Sequence, residues 1–203
     1  YTAKLINFWS KIMLSFFKNF DGLDWDVQGT ENIPDGPFVV ASKHQSIWDT
    51  IFFTAFFSDA AMVLKRTIIL IPFYGLHAIK VKMIWLDRNG RSKALKKLIK
   101  QGENCKKQNR PIVIFPEGTR SKVGQKNVYK PGITALYKFL NIPCIPVALN
   151  SGIFWDTKGL KRNKGKIIVK FIKPIEPGLS RDEFEKKLEN LIEIETNLLI
   201  KKT

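Results

Sequence analysis

The chain contains two histidines, two cysteines and no apolar run long enough for a membrane-spanning helix. Cys105 and Cys144 stand far apart in no paired spacing, which argues against a disulfide framework and fits a reducing compartment. His44 and His77 cannot assemble a zinc constellation at the usual spacings, so no metal is expected. No signal peptide with a small-residue cleavage site is present. The first residue is Tyr1 rather than Met, which leaves room for a preceding segment such as a membrane anchor. Acidic residues are scarce. In 203 residues there are 18 Asp and Glu against 34 Lys and Arg, a formal net charge of +16 at pH 7. Such an excess attracts polyanions: nucleic acid, anionic lipid headgroups or a phosphorylated ligand. Against nucleic acid, the sequence has no zinc finger, no aromatic-bearing ribonucleoprotein motif and no recognition helix.

What is present leans towards lipid. Fifteen Phe and five Trp accompany the positive charge, and amphipathic rings settle at headgroup level. Residues 4–20 carry Leu5, Trp9, Ile12 and Phe16 at helical spacing, widened by Ile6, Met13, Phe17 and Phe20. Lys4, Lys11 and Lys18 recur every seven residues on another side. A helix that is basic on one face and aromatic on another suits a membrane interface. A helix capping the core with a solvated lysine face fits the same pattern. Residues 1–24 are read as this helical appendage and 25–203 as one domain, since 44% hydrophobic and 26% charged residues suffice for a buried core.

Strands are expected at 25–29, 38–41, 62–64, 83–86, 111–115, 145–149 and 167–172, with helices at 48–57, 92–107, 133–140 and 181–200. Strands alternating with helices, several of them apolar throughout, indicate an α/β fold with a mixed, mostly parallel sheet flanked by helices. Charged residues of the last helix read as solvent-face pairing. The basic loop 158–166 reads as solvated by default, with headgroups or a carrier as alternative contacts.

Two segments carry chemistry. His44 and Asp49 stand at a strand-to-helix turn, where α/β folds place ligands. A carboxylate five residues on can bond one imidazole nitrogen and free the other to take a proton. On spacing alone, a loop histidine capped by an aspartate is the better reading. The second segment, Phe115-Pro116-Glu117-Gly118-Thr119-Arg120-Ser121, follows a strand. Pro ends the strand, Gly permits the turn, and Arg with neighbouring hydroxyls and backbone N–H groups suits a phosphate monoester. His77 has no carboxylate at useful spacing and is expected to have no chemical role. Phe52, Phe53, Phe56 and Phe57 offer an acyl tunnel, although core packing is the commoner role.

His44-Gln45-Ser46-Ile47-Trp48-Asp49 together with 115–121 resembles the glycerolipid acyltransferases, in particular the lysophosphatidate (1-acyl-sn-glycerol-3-phosphate) acyltransferases. Lys65-Arg66, Ile71-Pro72-Phe73-Tyr74-Gly75 and Asp87-Arg88 resemble the second block of that family. Lys130-Pro131-Gly132 and Ile142-Pro143-Cys144-Ile145-Pro146-Val147 resemble later blocks. Thr67 departs from a common Glu, and Lys82 from a common Gly. The resemblance implies the glycerolipid acyltransferase fold and transfer of a fatty acyl group from acyl-CoA or acyl carrier protein to the sn-2 hydroxyl of 1-acyl-glycerol 3-phosphate, giving phosphatidic acid; another lysolipid acceptor, or a non-catalytic basic membrane-binding module, is the alternative. It implies His44 as base and Asp49 as its orienter. Glu117, Gly118, Thr119 and Arg120 would hold the acceptor phosphate, with Arg88 and Lys65 as further anion contacts. No cofactor is implied beyond the donor substrate. The expected setting is the cytoplasmic face of an anionic membrane, with peripheral or monotopic attachment.

Overall fold

The computed structural model describes residues 2–67, 74–87, 91–157, 159 and 161–203. Seven strands form one sheet: β1 (Leu23–Gln28), β2 (Val39–Ser42), β3 (Ala61–Lys65), β4 (Ile84–Leu86), β5 (Ile112–Ile114), β6 (Cys144–Leu149) and β7 (Gly165–Phe171). Their order is β1-β7-β6-β2-β5-β3-β4. Neighbours run parallel except β6 and β7. The sheet is therefore mixed and mostly parallel, as the apolar strand runs predict. Strand ends differ from expectation by one or two residues.

Side chains alternate across the sheet and feed two cores. Val40, Val113, Ile145 and Val147 face one, shared with helices α1 (Thr2–Asp21) and α2 (Ile47–Phe56). Val39, Ala41, Ile112 and Ile114 face the other, under α4 (Arg91–Lys107), α5 (Pro131–Leu140) and α7 (Arg181–Lys201). Phe52 and Phe53 are fully buried in the first core, and Phe56 stacks on Phe52 and Phe171. Phe52 and Phe53 thus pack in the core, and Phe56 is partly open to the surface. Two short helices escaped the sequence reading: α3 (Tyr74–Lys80) and α6 (Ser151–Phe154). The His77 side chain, Arg88 and the 71–73 part of the second block lie outside the described residues.

Helix α1 has three faces rather than two. Ile6, Asn7, Ser10, Met13, Leu14 and Phe17 turn inward, while Leu5, Phe8, Trp9, Ile12, Phe16 and Phe20 are exposed. Lys4, Lys11 and Lys18 flank the exposed apolar strip. The apolar stripe read from the sequence is thus split, with Ile6, Met13 and Phe17 in the core and the rest outside. Asn7 explains why the inward face is held so firmly. Its amide donates to the carbonyls of Thr54 and Ala55 at 2.9 Å, satisfying the carboxyl end of α2. Among the described residues no helix is long and apolar enough to cross a membrane.

Candidate active site

The site forms where β2, β5 and β6 end. β2 gives way at Ser42 to the turn Lys43–Ser46, and α2 begins at Ile47. Asp49 is the third residue of that helix. Its carboxylate accepts the Ser46 backbone N–H at 3.0 Å, half of a capping box, and the Gln45 N–H at 2.8 Å. A carboxylate in the first helical turn also favours the helix dipole. The group that starts α2 is the same group that orients His44, whose Nδ1 lies 2.9 Å from Asp49 Oδ2.

Oδ2 also accepts two amide protons, so the arrangement suits Nδ1 as the donor and Nε2 as the acceptor nitrogen. Oδ1 accepts from Ser46 Oγ at 3.0 Å and from Ser151 Oγ at 2.5 Å. Asp49 is completely buried and the His44 side chain is 14% exposed, so only the imidazole reaches the surface. Phe115 lies flat against that ring, with centroids 3.9 Å apart and planes 14° apart.

The loop after β5 is bonded directly to the histidine. Phe115 O accepts the Gly118 N–H at 2.9 Å, closing a turn that Gly118 completes at φ 67°, in the left-handed region glycine tolerates best. Ser121 then donates twice to the His44 carbonyl, through its N–H at 2.8 Å and its hydroxyl at 3.1 Å. That hydroxyl, expected beside a phosphate, is spent on the turn that carries His44. Thr119 and Arg120 are exposed.

Glu117, also expected on the phosphate, points the other way. Its side chain is fully buried, and Oε1 lies 3.3 Å from Lys43 Nζ and 3.4 Å from the His44 N–H. Burial pushes its carboxyl above the ordinary range, with Lys43 opposing. Lys65 ends β3 at the same end of the sheet as His44 and is exposed. Arg66 beside it pairs with Asp87 at 3.7 Å.

Sequence reasoning missed Lys43, Phe115 as a ring partner, and Ser151. A serine directly after the carboxyl end of β6 was the available signal for Ser151, since the strand is parallel to β2 and ends beside it. The expected solvent-face pairing on α7 is present at Arg181 and Glu185, an i,i+4 pair at 3.0 Å. Glu185 also accepts from Thr134, and Glu189, Glu193 and Glu195 pair with Lys126, Lys43 and Lys170 on other elements, which the sequence reading missed. In the 158–166 loop, Arg162 is not free. It pairs with Asp21 at 2.8 Å and lies over the rings of Phe17 and Trp155, tying the loop to α1. Lys158 lies outside the described residues.

Residues 24–150 match the sequence model of the family described as Acyltransferase. The chain is 40% identical over 161 residues to a 1-acyl-sn-glycerol-3-phosphate acyltransferase of Pseudomonas aeruginosa, covering 79% of this chain and 63% of that protein. It is 33% identical over 175 residues to the protein of the same name from Saccharomyces cerevisiae, covering 82% and 58%. The chain thus spans about three fifths of the length of these relatives. Among solved structures, the 1-acyl-sn-glycerophosphate (LPA) acyltransferase PlsC from Thermotoga maritima superposes with a TM-score of 0.80 at 25% identity. That match covers 97% of this chain and 79% of the other.

Proposed function

The chain belongs to the acyltransferase family, and from this premise we propose that it moves a fatty acyl group from a thioester donor to the free hydroxyl of lysophosphatidate at a membrane surface. The observation that carries the reading is the Asp49–His44 pair, with Nδ1 2.9 Å from the carboxylate on a turn bonded to the Arg120 loop, an arrangement in which Nε2 can take a proton.

The reaction follows from that geometry. Arg120, with Thr119 and the backbone around Gly118, holds the acceptor phosphate through planar guanidinium donors. Lys65, and Arg88 by its place in the second block, add positive charge for phosphate or the donor. His44 Nε2 takes the proton of the acceptor hydroxyl. The oxygen attacks the thioester carbonyl, and the tetrahedral adduct expels a thiolate. The imidazolium, steadied by Asp49, returns the proton to that sulfur. No covalent acyl-enzyme forms, and neither cysteine is placed to form one. Both thiols are buried and pushed above their ordinary range by desolvation. Glu117 works from beneath, by holding the turn that carries His44.

Acyl-CoA and acyl carrier protein both fit as donors, since each brings an anionic carrier to a chain of net charge +16. The exposed aromatic strip of α1, flanked by lysines, suits docking on an anionic bilayer. A cytoplasmic donor places that docking on the cytoplasmic face. The test is acyl transfer to radiolabelled lysophosphatidate in vesicles, with each donor and a panel of other lysolipids. Phosphatidate formed by the wild type and reduced at least about 10³-fold by His44→Ala is expected. Arg120→Ala should act mainly on the KM for acceptor. Product from a different lysolipid alone would reassign the acceptor, and an active His44→Ala would overturn the base.

A further inference from the structure

Lys43 is almost completely buried, which is costly for an ammonium unless every proton is satisfied. Here all three are. Nζ donates to both oxygens of Glu193 at 2.8 and 3.0 Å and to the Gln125 carbonyl at 3.2 Å, and faces Glu117 Oε1 at 3.3 Å. One atom therefore joins four segments: the turn carrying His44, the loop carrying Arg120, the segment that follows it, and α7. Glu193 also accepts from the Tyr129 hydroxyl at 3.2 Å, fastening residues 125–129 to the same point. The family match ends at residue 150, whereas Glu193 lies on the last helix.

We propose that Lys43 and Glu193 are positioning residues: their partly buried ion pair, with the contacts of Lys43 to Glu117 and Gln125, holds the phosphate loop in register with His44. The inference rests on the functional reading above, in which Arg120 holds the phosphate and His44 takes the proton. It turns on a distance that neither residue controls alone. The acceptor is gripped at its phosphate by one loop and deprotonated by a base on another turn. A shift between the two leaves binding intact and moves the hydroxyl away from Nε2. Misplacement on the ångström scale costs about 100-fold in rate. Buried ion pairs contribute little net stability compared with apolar packing of the same volume. What this one adds is a further tie, through α7, between loops that already meet at the His44 backbone, the Phe115–His44 stack and the Lys43–Glu117 contact.

The experiment compares Glu193→Gln with the wild type and with Arg120→Ala, reading kcat and acceptor KM on lysophosphatidate together with the melting temperature. Glu193→Gln should lower kcat by about 10- to 100-fold with KM within about 3-fold, the reverse of Arg120→Ala. Where Glu193→Gln also melts early, Lys43→Met/Glu193→Leu removes both charges and restores packing. Recovery of the melting temperature with kcat still depressed supports positioning. Recovery of both makes the pair purely structural and overturns the inference. Unchanged kcat in Glu193→Gln, or a KM rising as in Arg120→Ala, overturns it too. A wild type inactive on lysophosphatidate overturns the functional reading and this inference with it. An active wild type beside an equally active Glu193→Gln overturns this inference alone.

Discussion

The Phe115 ring lies nearly parallel to the His44 ring with centroids 3.9 Å apart, so the first residue of the 115–121 loop is also the wall against which the imidazole rests. Asp49 fixes one nitrogen of the imidazole, and Phe115 restricts rotation of its plane. An aromatic pair contributes about 0.5–1.5 kcal/mol beyond its burial. Phe115→Leu keeps an apolar residue there and loses the stack. We expect kcat to fall by about 2- to 10-fold with acceptor KM nearly constant. Steady-state kinetics on lysophosphatidate checks this, and an unchanged kcat would show that Asp49 alone orients the ring.

Ser151 tests the other side of the carboxylate. Its hydroxyl is one of two donors to Asp49 Oδ1, and it comes from 102 residues away. A hydrogen bond to a charged group contributes about 1.5–3 kcal/mol. Ser151→Ala should therefore lower the melting temperature by several degrees and reduce kcat by about 10-fold. Thermal denaturation and single-turnover rates separate the two effects. A variant that melts normally and turns over normally would mean that Ser46 suffices.

Burial raises the Glu117 carboxyl above its ordinary value of 4.5, and the sign of its effect on stability follows. A raised acid binds its proton more tightly folded than unfolded, so its contribution is complete below pH 4.5 and is lost as pH rises through the folded value. Glu117→Gln keeps a neutral group at every pH. Melting curves of the two proteins should lie close together below pH 4.5, with the wild type losing ground above it. A gap that widens in the opposite direction would mean that Lys43 outweighs burial.

The outer face of α1 makes a prediction in which folding and binding come apart. Trp9 and Phe16 are exposed, although the Phe16 ring stacks on exposed Phe20 and meets buried Phe17 edge-on. Trp9→Ser/Phe16→Ser should cost about 1 kcal/mol of stability in all, most of it from the Phe16–Phe17 contact. Sedimentation with anionic vesicles should show binding weakened at least about 10-fold, because each large ring transferred from water contributes about 1.5–3 kcal/mol. Equal sedimentation of variant and wild type would move the docking surface elsewhere.

Short-range chemistry was legible in the residues alone. Five positions separate His44 from Asp49, and a strand-to-helix turn brings such a pair together wherever it occurs. The segment 115–121 announces its own turn through Pro116 and Gly118. Strand positions were readable for a similar reason: apolar runs between breakers need a sheet, whatever their neighbours. Direction was not readable. The periodicity of residues 4–20 marks apolar positions but not which of them α2 will cover, so the stripe divides only once Asn7 docks on the end of that helix. Glu117 stands in a motif that reads as phosphate-binding, yet it turns inward to Lys43, 74 positions earlier, and to the His44 N–H. Glu193 and Ser151 reach the site from 150 and 102 residues away, over distances no local pattern spans. Local spacing determined which groups could react. The fold decided what holds them, because a buried charge takes its partner from whichever segment packs against it.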